Sequence, residues 1–128
     1  PDFCNYLGLI LSISEQEGVT GTVRQTAGLS LKSYLSSNFA MVNMKSIFYI
    51  QNRLKIAFFD SQPVVRKTVS SVMSMIMVRG GFNAWPTLLT FLTESLQHQD
   101  ISIKENSIHA ISIIVEDCNS LFLEESYA

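Results

Sequence analysis

Three stretches of this chain align without a gap: "VRQTAGLSLKSYL" from Val23, "VRKTVSSVMSMIM" from Val65 and "IKENSIHAISIIV" from Ile103. Each opens on a β-branched residue followed by a cation, Arg24, Arg66 or Lys104. Four positions on stand Ala27, Val69 and Ser107, then Leu31, Met73 and Ile111, then Tyr34, Ile76 and Ile114, then Leu35, Met77 and Val115. The starts lie 42 and 38 residues apart. A helical period inside a segment combined with a repeat of about 40 residues between segments leaves few possible folds.

Helical periodicity also fills the intervals. Over 41–60 apolar residues fall at Met44, Ile47, Phe48, Leu54 and Phe58, and over 64–78 at Val65, Val69, Val72, Met73 and Ile76. The run 86–97 continues with Leu88, Leu89, Leu92 and Leu96, and 101–115 with Ile103, Ala110, Ile111, Ile114 and Val115. These are the i, i+3, i+4 spacings of one helical face, and no strand-like alternation is sustained. Breaks occur at "EGVTG" (17–21), "DSQP" (60–63), "RGGFNAWP" (79–86) and "QHQD" (97–100). Pro63 suits a first helical turn, with Asp60 or Ser61 as its cap, and Asp100 or Ser102 suits the cap of the last helix. The predicted fold is all-α: an α-α superhelix (HEAT-repeat, armadillo-like solenoid) of about three helical hairpins stacked right-handed, with repeats at 1–38, 39–80 and 81–128. The competing arrangement is a bundle of similar amphipathic helices. The cation in one register and "D-x-x-P-x-V-R" at Asp60, Pro63, Val65 and Arg66, which resembles the start of a HEAT second helix, favour the solenoid.

Composition narrows the function. A net charge of −2, with nine scattered Lys and Arg residues, offers no basic stripe for nucleic acid or anionic lipid. Charged residues make up only 16% of the chain, with serine filling much of the difference. No run approaches the ~18 apolar residues of a membrane span. "FCNYLGLILSIS" lacks the basic flank and small-residue cleavage site of a signal peptide. The missing initiator methionine suggests a piece of a longer chain. Cys4 and Cys118 sit in no metal-type cluster and read as buried thiols of a reducing compartment. There is no phosphate loop, no paired metal-ligand motif and no nucleophile with a positioned base, so no enzyme, cofactor or metal is expected. His98 reads as a loop residue, and His109 has no neighbour with which to hold a metal. Met73, Met75 and Met77 alternate, so they cannot share one helix face, and they read as adaptable inter-repeat packing. Arg24, Arg66 and Lys104 read as ladder partners for acidic or carbonyl groups, with Asp60 and Asp100 as the acidic candidates.

In the repeat register "W-P-T-L-L" (85–89) opens a first helix, with Pro86 at the first helical position and Trp85 folded back as a staple. Taken with "DSQPVVRKTV" (60–69), "VEDC" (115–118) and "PDFCNYL" (1–7), it resembles the early repeats of the importin-β (karyopherin-β) superfamily, and within it the transportin branch. The likeness is dilute over 14–45, and Gly28 inside a helix and the doubled Gly80-Gly81 depart from the pattern. The resemblance implies a nuclear import receptor, shuttling between cytoplasm and nucleus. It implies first helices on the convex side, and second helices that line a concave surface receiving a Ran-type small GTPase in its GTP form. It also implies that the full-length chain carries nuclear-localisation-signal cargo on later repeats and meets FG nucleoporins. A generic HEAT scaffold outside nuclear transport shares the period but does not account for the Trp-Pro turn.

The helical register itself picks out the solvent side of the second helices. Opposite the apolar line Ile103, Ser107, Ala110, Ile114 and Cys118 stand Glu105, His109, Ser112 and Glu116. The same register gives Lys67, Ser71, Ser74 and Val78 in the middle repeat, and Gln25, Leu29, Lys32 and Ser36 in the first. The expected partner-binding ladder is therefore Gln25, Lys32, Lys67, Ser71, Ser74, Glu105, His109, Ser112, Glu116 and Asp117, turning acidic toward its last members. Bare end repeats predict self-association of the isolated chain.

Overall fold

In a computed structural model, which describes residues 3–13 and 18–119, six α-helices follow one another. They are α1 (Phe3–Ser12), α2 (Gly21–Asn38), α3 (Met44–Ala57), α4 (Pro63–Gly80), α5 (Leu88–Ser95) and α6 (Ile101–Asp117). Parts of segments singled out above, namely Pro1, Asp2, Ser14 and Glu17, lie outside the described residues.

Three of the helix starts have side-chain caps. The Thr20 hydroxyl accepts the Val23 amide at 3.3 Å, Asn43 Oδ1 that of Lys45 at 2.7 Å, and Asp100 Oδ1 that of Ser102 at 2.8 Å. Each satisfies one of the amides a helix start leaves without an intrahelical acceptor. Pro63 opens α4 as expected, but the cap position is Gln62, with no side-chain bond. Asp60 Oδ1 instead accepts the Gln62 amide at 2.9 Å. At the far end of α4, Gly81 has φ 72°, and its amide returns to Met77 O at 2.8 Å. That backbone conformation favours glycine.

The helices form two layers. α2, α4 and α6 lie in one, with α4 packed between the other two, and α1 packs on α3 in the other. Within the hairpins α1 packs on α2, α3 on α4 and α5 on α6. The first-helix layer is continued by edge-on rings, Phe91 of α5 lying 5.3 Å from Phe58 and 5.8 Å from Phe59. These are stacked helical hairpins, as the repeat requires.

The core follows the predicted face closely in α4 and in most of α6, where Val115, expected on the apolar side, is exposed instead. Val65, Val69, Val72, Met73 and Ile76 are all buried, as are Ile103, Ser107, Ala110, Ile114 and Cys118. In α3 the face is rotated from expectation. Ile47, Ile50, Leu54, Ala57 and Phe58 are buried, whereas Met44 and Phe48 are more than half exposed. Phe48 stands ~100° around the helix from Ile47, which is enough to carry it to the outer side.

The Trp-Pro turn also differs from expectation. α5 begins at Leu88, and Pro86 precedes it in a tight turn closed by the Leu88 amide on Trp85 O at 3.2 Å. Proline disfavours helical geometry in the residue before it, and Trp85 lies at φ −148°, ψ 73°. Pro86 then fits the second position of the turn, with Thr87 at φ −95°, ψ −1° in the third. Trp85 is buried with Leu88 and Leu92, and Gln51 of α3 donates to Ala84 O at 2.8 Å, pinning the approach.

Candidate partner-binding face on the second helices

The seams between repeats decide which part of the α2–α4–α6 layer faces solvent. At the first seam Arg24 is fully buried. Its Nε donates to Leu11 O at 3.0 Å, and its Nη2 pairs with the Asp60 carboxylate, the only ion pair among the described residues. Arg66 reaches the same residue from the other side, donating from Nη1 to Asp60 O at 2.7 Å. Asp60 thus ties the second helices of two repeats to one loop, in the ladder role expected of these arginines. Lys104 is exposed instead.

Two further seam bonds come from Arg79 and Asp117, which stand 38 residues apart at the same position of successive repeats. Arg79 Nη2 donates to the Ser36 hydroxyl at 3.2 Å, and Asp117 Oδ2 accepts from the Ser74 hydroxyl at 2.8 Å. Ser74, predicted on the open ladder, is therefore buried in the seam between α4 and α6. The line on α4 that reaches solvent steps by four residues, from exposed Lys67 through half-buried Ser71 and Met75, and then to exposed Val78 and Arg79. A step of three from Ser71 turns toward α6. Met75 and Arg79 were missed, although the alternation of Met73, Met75 and Met77 had already placed the middle one apart from the other two. Met73 and Met77 are fully buried, in the packing role expected of them.

The remaining ladder positions reach solvent. Glu105, His109, Ser112, Glu116 and Asp117 are exposed along α6, and Lys67 is exposed on α4. Ser71, Gln25 and Lys32 are half-buried. Lys32 borders a shallow groove of about 280 Å³ between α2 and α4, with Leu29, Ser36 and Met75. A larger cleft of about 330 Å³ opens between α4 and α6, where Arg66, Lys67, Glu105, Asn106 and His109 meet. The structure thus brings Lys67, Glu105 and His109 together at one cleft, leaves Lys32 on a separate groove, and places Gln25 at neither.

Cys4 and Cys118 are both buried thiols. Burial pushes the Cys118 thiol above its ordinary range, and the Asp117 carboxylate beside it adds to the effect. Among the described residues no group of His, Cys, Asp or Glu is placed to hold a metal ion, and no helix is long and apolar enough to cross a membrane. The face presents hydrogen-bonding and charged side chains along α4 and α6.

No protein-family model matches the chain. Among curated proteins it is 30% identical over 117 residues to "Transportin-1" of Homo sapiens, 32% to "Transportin-1" of Oryza sativa subsp. japonica and 29% to "Transportin" of Dictyostelium discoideum. Each match takes in 91% of this chain but only 12 to 13% of the relative's length. Over that 91% of its residues, this chain is a homologue of the transportin/importin β-2 proteins.

Proposed function

We propose that this chain is a non-enzymatic nuclear-transport-receptor segment whose second-helix face binds a Ran-type GTPase in its GTP state. What supports the reading is one combination: homology to transportins across nearly the whole chain, and a second-helix layer that leaves Lys67, Ser71, Glu105, His109, Ser112 and Glu116 open to a partner. Glu105 and Glu116 give the α6 end of the face its acidic character, which suits a basic patch on a partner. Carriage of nuclear-localisation-signal cargo, contact with FG nucleoporins and shuttling between cytoplasm and nucleus belong to the same reading, through repeats equivalent to those in the rest of the relatives.

The test is calorimetric titration of the chain with the GTPase loaded with a non-hydrolysable GTP analogue or with GDP. Tighter binding of the GTP form, weakened when Glu105 and Glu116 are changed to glutamine, is the expected result. Equal binding of the two nucleotide forms, or binding of neither, overturns the reading.

A further inference from the structure

Arg24 and Arg66 stand at the same position of successive second helices, yet their surroundings differ. Arg24 has a carbonyl and a carboxylate on its guanidinium and no exposure to solvent. Arg66 is half-buried and donates to one main-chain oxygen, that of Asp60. The 38-residue step that carries Arg66 to Lys104 carries Asp60 to His98, so no acid stands at the counterpart of Asp60; the nearest acid in sequence is Asp100, the N-cap of α6. Both acids accept a backbone amide two residues on through Oδ1. Asp60 also gives Oδ2 to Arg24, whereas Asp100 is exposed and forms no ion pair with Arg66. Where that second pair would close the seam, the cleft of about 330 Å³ opens, with Lys67, Ser102, Glu105, Asn106 and His109 around Arg66.

We propose that this cleft receives a carboxylate side chain from an acidic segment of a partner protein. In this arrangement Arg66 grips the carboxylate and Lys67 adds charge at the rim. A guanidinium presents parallel N–H groups that match the two oxygens of a carboxylate. The first seam shows this chain making that pairing internally. Arg66 and Lys67 against Glu105 leave the lining one positive charge in excess, within a chain whose net charge is −2. Glu105 forms no ion pair with either cation. It offsets part of the attraction that the two cations exert on any anion, and a carboxylate is the anion that Arg24 pairs with at the same position of the first seam. The inference rests on the second-helix face being an open binding surface, and it assigns the chemistry of one subsite on that face.

The experiment titrates the chain and its R66Q, K67M and E105Q variants with three octapeptides of alternating serine and a variable residue: glutamate, glutamine or phosphoserine. The glutamate peptide binds, and R66Q weakens it by about tenfold, the loss of a charge-assisted pair. K67M weakens it by about two- to fivefold, as befits a rim charge, and E105Q tightens it. Thermal melts of R66Q stay close to the parent, which separates a binding role from a structural one. If R66Q melts early, the opposite shifts of K67M and E105Q decide the matter. Absence of binding, equal binding of the glutamine peptide, preference for phosphoserine, or shifts of the same sign in K67M and E105Q each overturn the proposal. The GTPase titration is run in parallel on the same variants. Peptide binding without nucleotide preference refutes the transport reading and leaves the carboxylate site standing, and the reverse outcome refutes the site alone.

Discussion

Gly28, in the middle of α2, is the position where helix propensity and packing oppose each other most directly. A Cβ there would lie 2.4 Å from Thr68 Cγ2 and 3.0 Å from Leu11 Cδ1, against ~3.5–4.0 Å for an ordinary carbon contact. Leu11 can turn its methyl away. Thr68 cannot, because its side chain is β-branched, buried and tied by its hydroxyl to Val64 O at 2.8 Å. Gly28→Ala gains about 1 kcal/mol in helix propensity and loses about 1–3 kcal/mol to overpacking. The expected net is a loss of about 1 kcal/mol, or ~4 °C in Tm. Thr68→Ser removes the clashing methyl while keeping the hydroxyl bond, and alone costs about 1 kcal/mol of burial. In the double variant the clash is gone and the propensity gain remains, so its stability returns to about the parent's. The two changes therefore couple by about 2 kcal/mol. Urea unfolding followed through Trp85, the sole tryptophan and a buried one, reads each variant directly. Additivity of the two changes within about 0.5 kcal/mol, or a stabilised single Gly28→Ala variant, would show that α2 and α4 do not approach this closely.

Arg24→Met is expected to cost about 3 kcal/mol in the same urea assay, because it strands Asp60 beside a dry seam. Asp60→Asn should cost less, since the amide keeps an acceptor for the guanidinium. On α6, Ile101, Ile108 and Val115 form an exposed stripe at seven-residue spacing. The chain should therefore self-associate in sedimentation velocity runs, and Ile108→Lys should reverse this without lowering Tm. A chain that stays monomeric across the concentration range would remove the stripe from consideration. Cys118 contributes a pH dependence with a definite sign. Its folded thiol holds its proton more tightly than an ordinary one near 9.0, so that stability is complete below about pH 9 and is lost as pH rises through the raised folded value. Between pH 8 and 10.5 the parent should lose more stability than Cys118→Ala, and equal losses would contradict the burial.

Where a rule depends on one helix alone, the sequence was a sufficient guide. The buried face of α4, the line Ile103, Ser107, Ala110 and Ile114 on α6, the Asp100 cap and the proline opening α4 all follow from spacing and local chemistry. The departures occur where a second element intervenes. Pro86 is expected at the first position of α5, but it occupies a Trp85–Leu88 turn whose approach Gln51 of α3 holds at Ala84 O, and the helix starts at Leu88. The polarity of Ser74 suggested an open position, and only the register of α6 against α4 reveals Asp117 as its acceptor. Phe48 reads as core by composition and sits outside because the first-helix layer has a solvent side. Gly28 looked like a departure from the repeat, and the approach of Thr68 supplies its reason.

The shortage of charge and the abundance of serine have a common cause in the seams. Ser12, Ser70, Ser95 and Ser107 are buried, and each hydroxyl donates to the carbonyl four residues back in its own helix. A small side chain that satisfies itself in this way lets helices pack closely and needs no partner across the interface. Such a helix can meet another repeat or remain open without leaving a buried group unpaired. The function of a position is then set by what the next repeat brings to it. In the 38-residue register Ser74 and Ser112 are equivalent, yet one is held by Asp117 and the other is exposed, on a helix with no later repeat packed against it among the described residues. Arg24 and Arg66 diverge in the same manner, one closed by Asp60 and the other left at a cleft. Within the described repeats the sequence period therefore locates equivalent positions, though the expected ladder does not include Met75 and Arg79 on the α4 line. Only the stacking separates those that hold the solenoid together from those free to hold a partner.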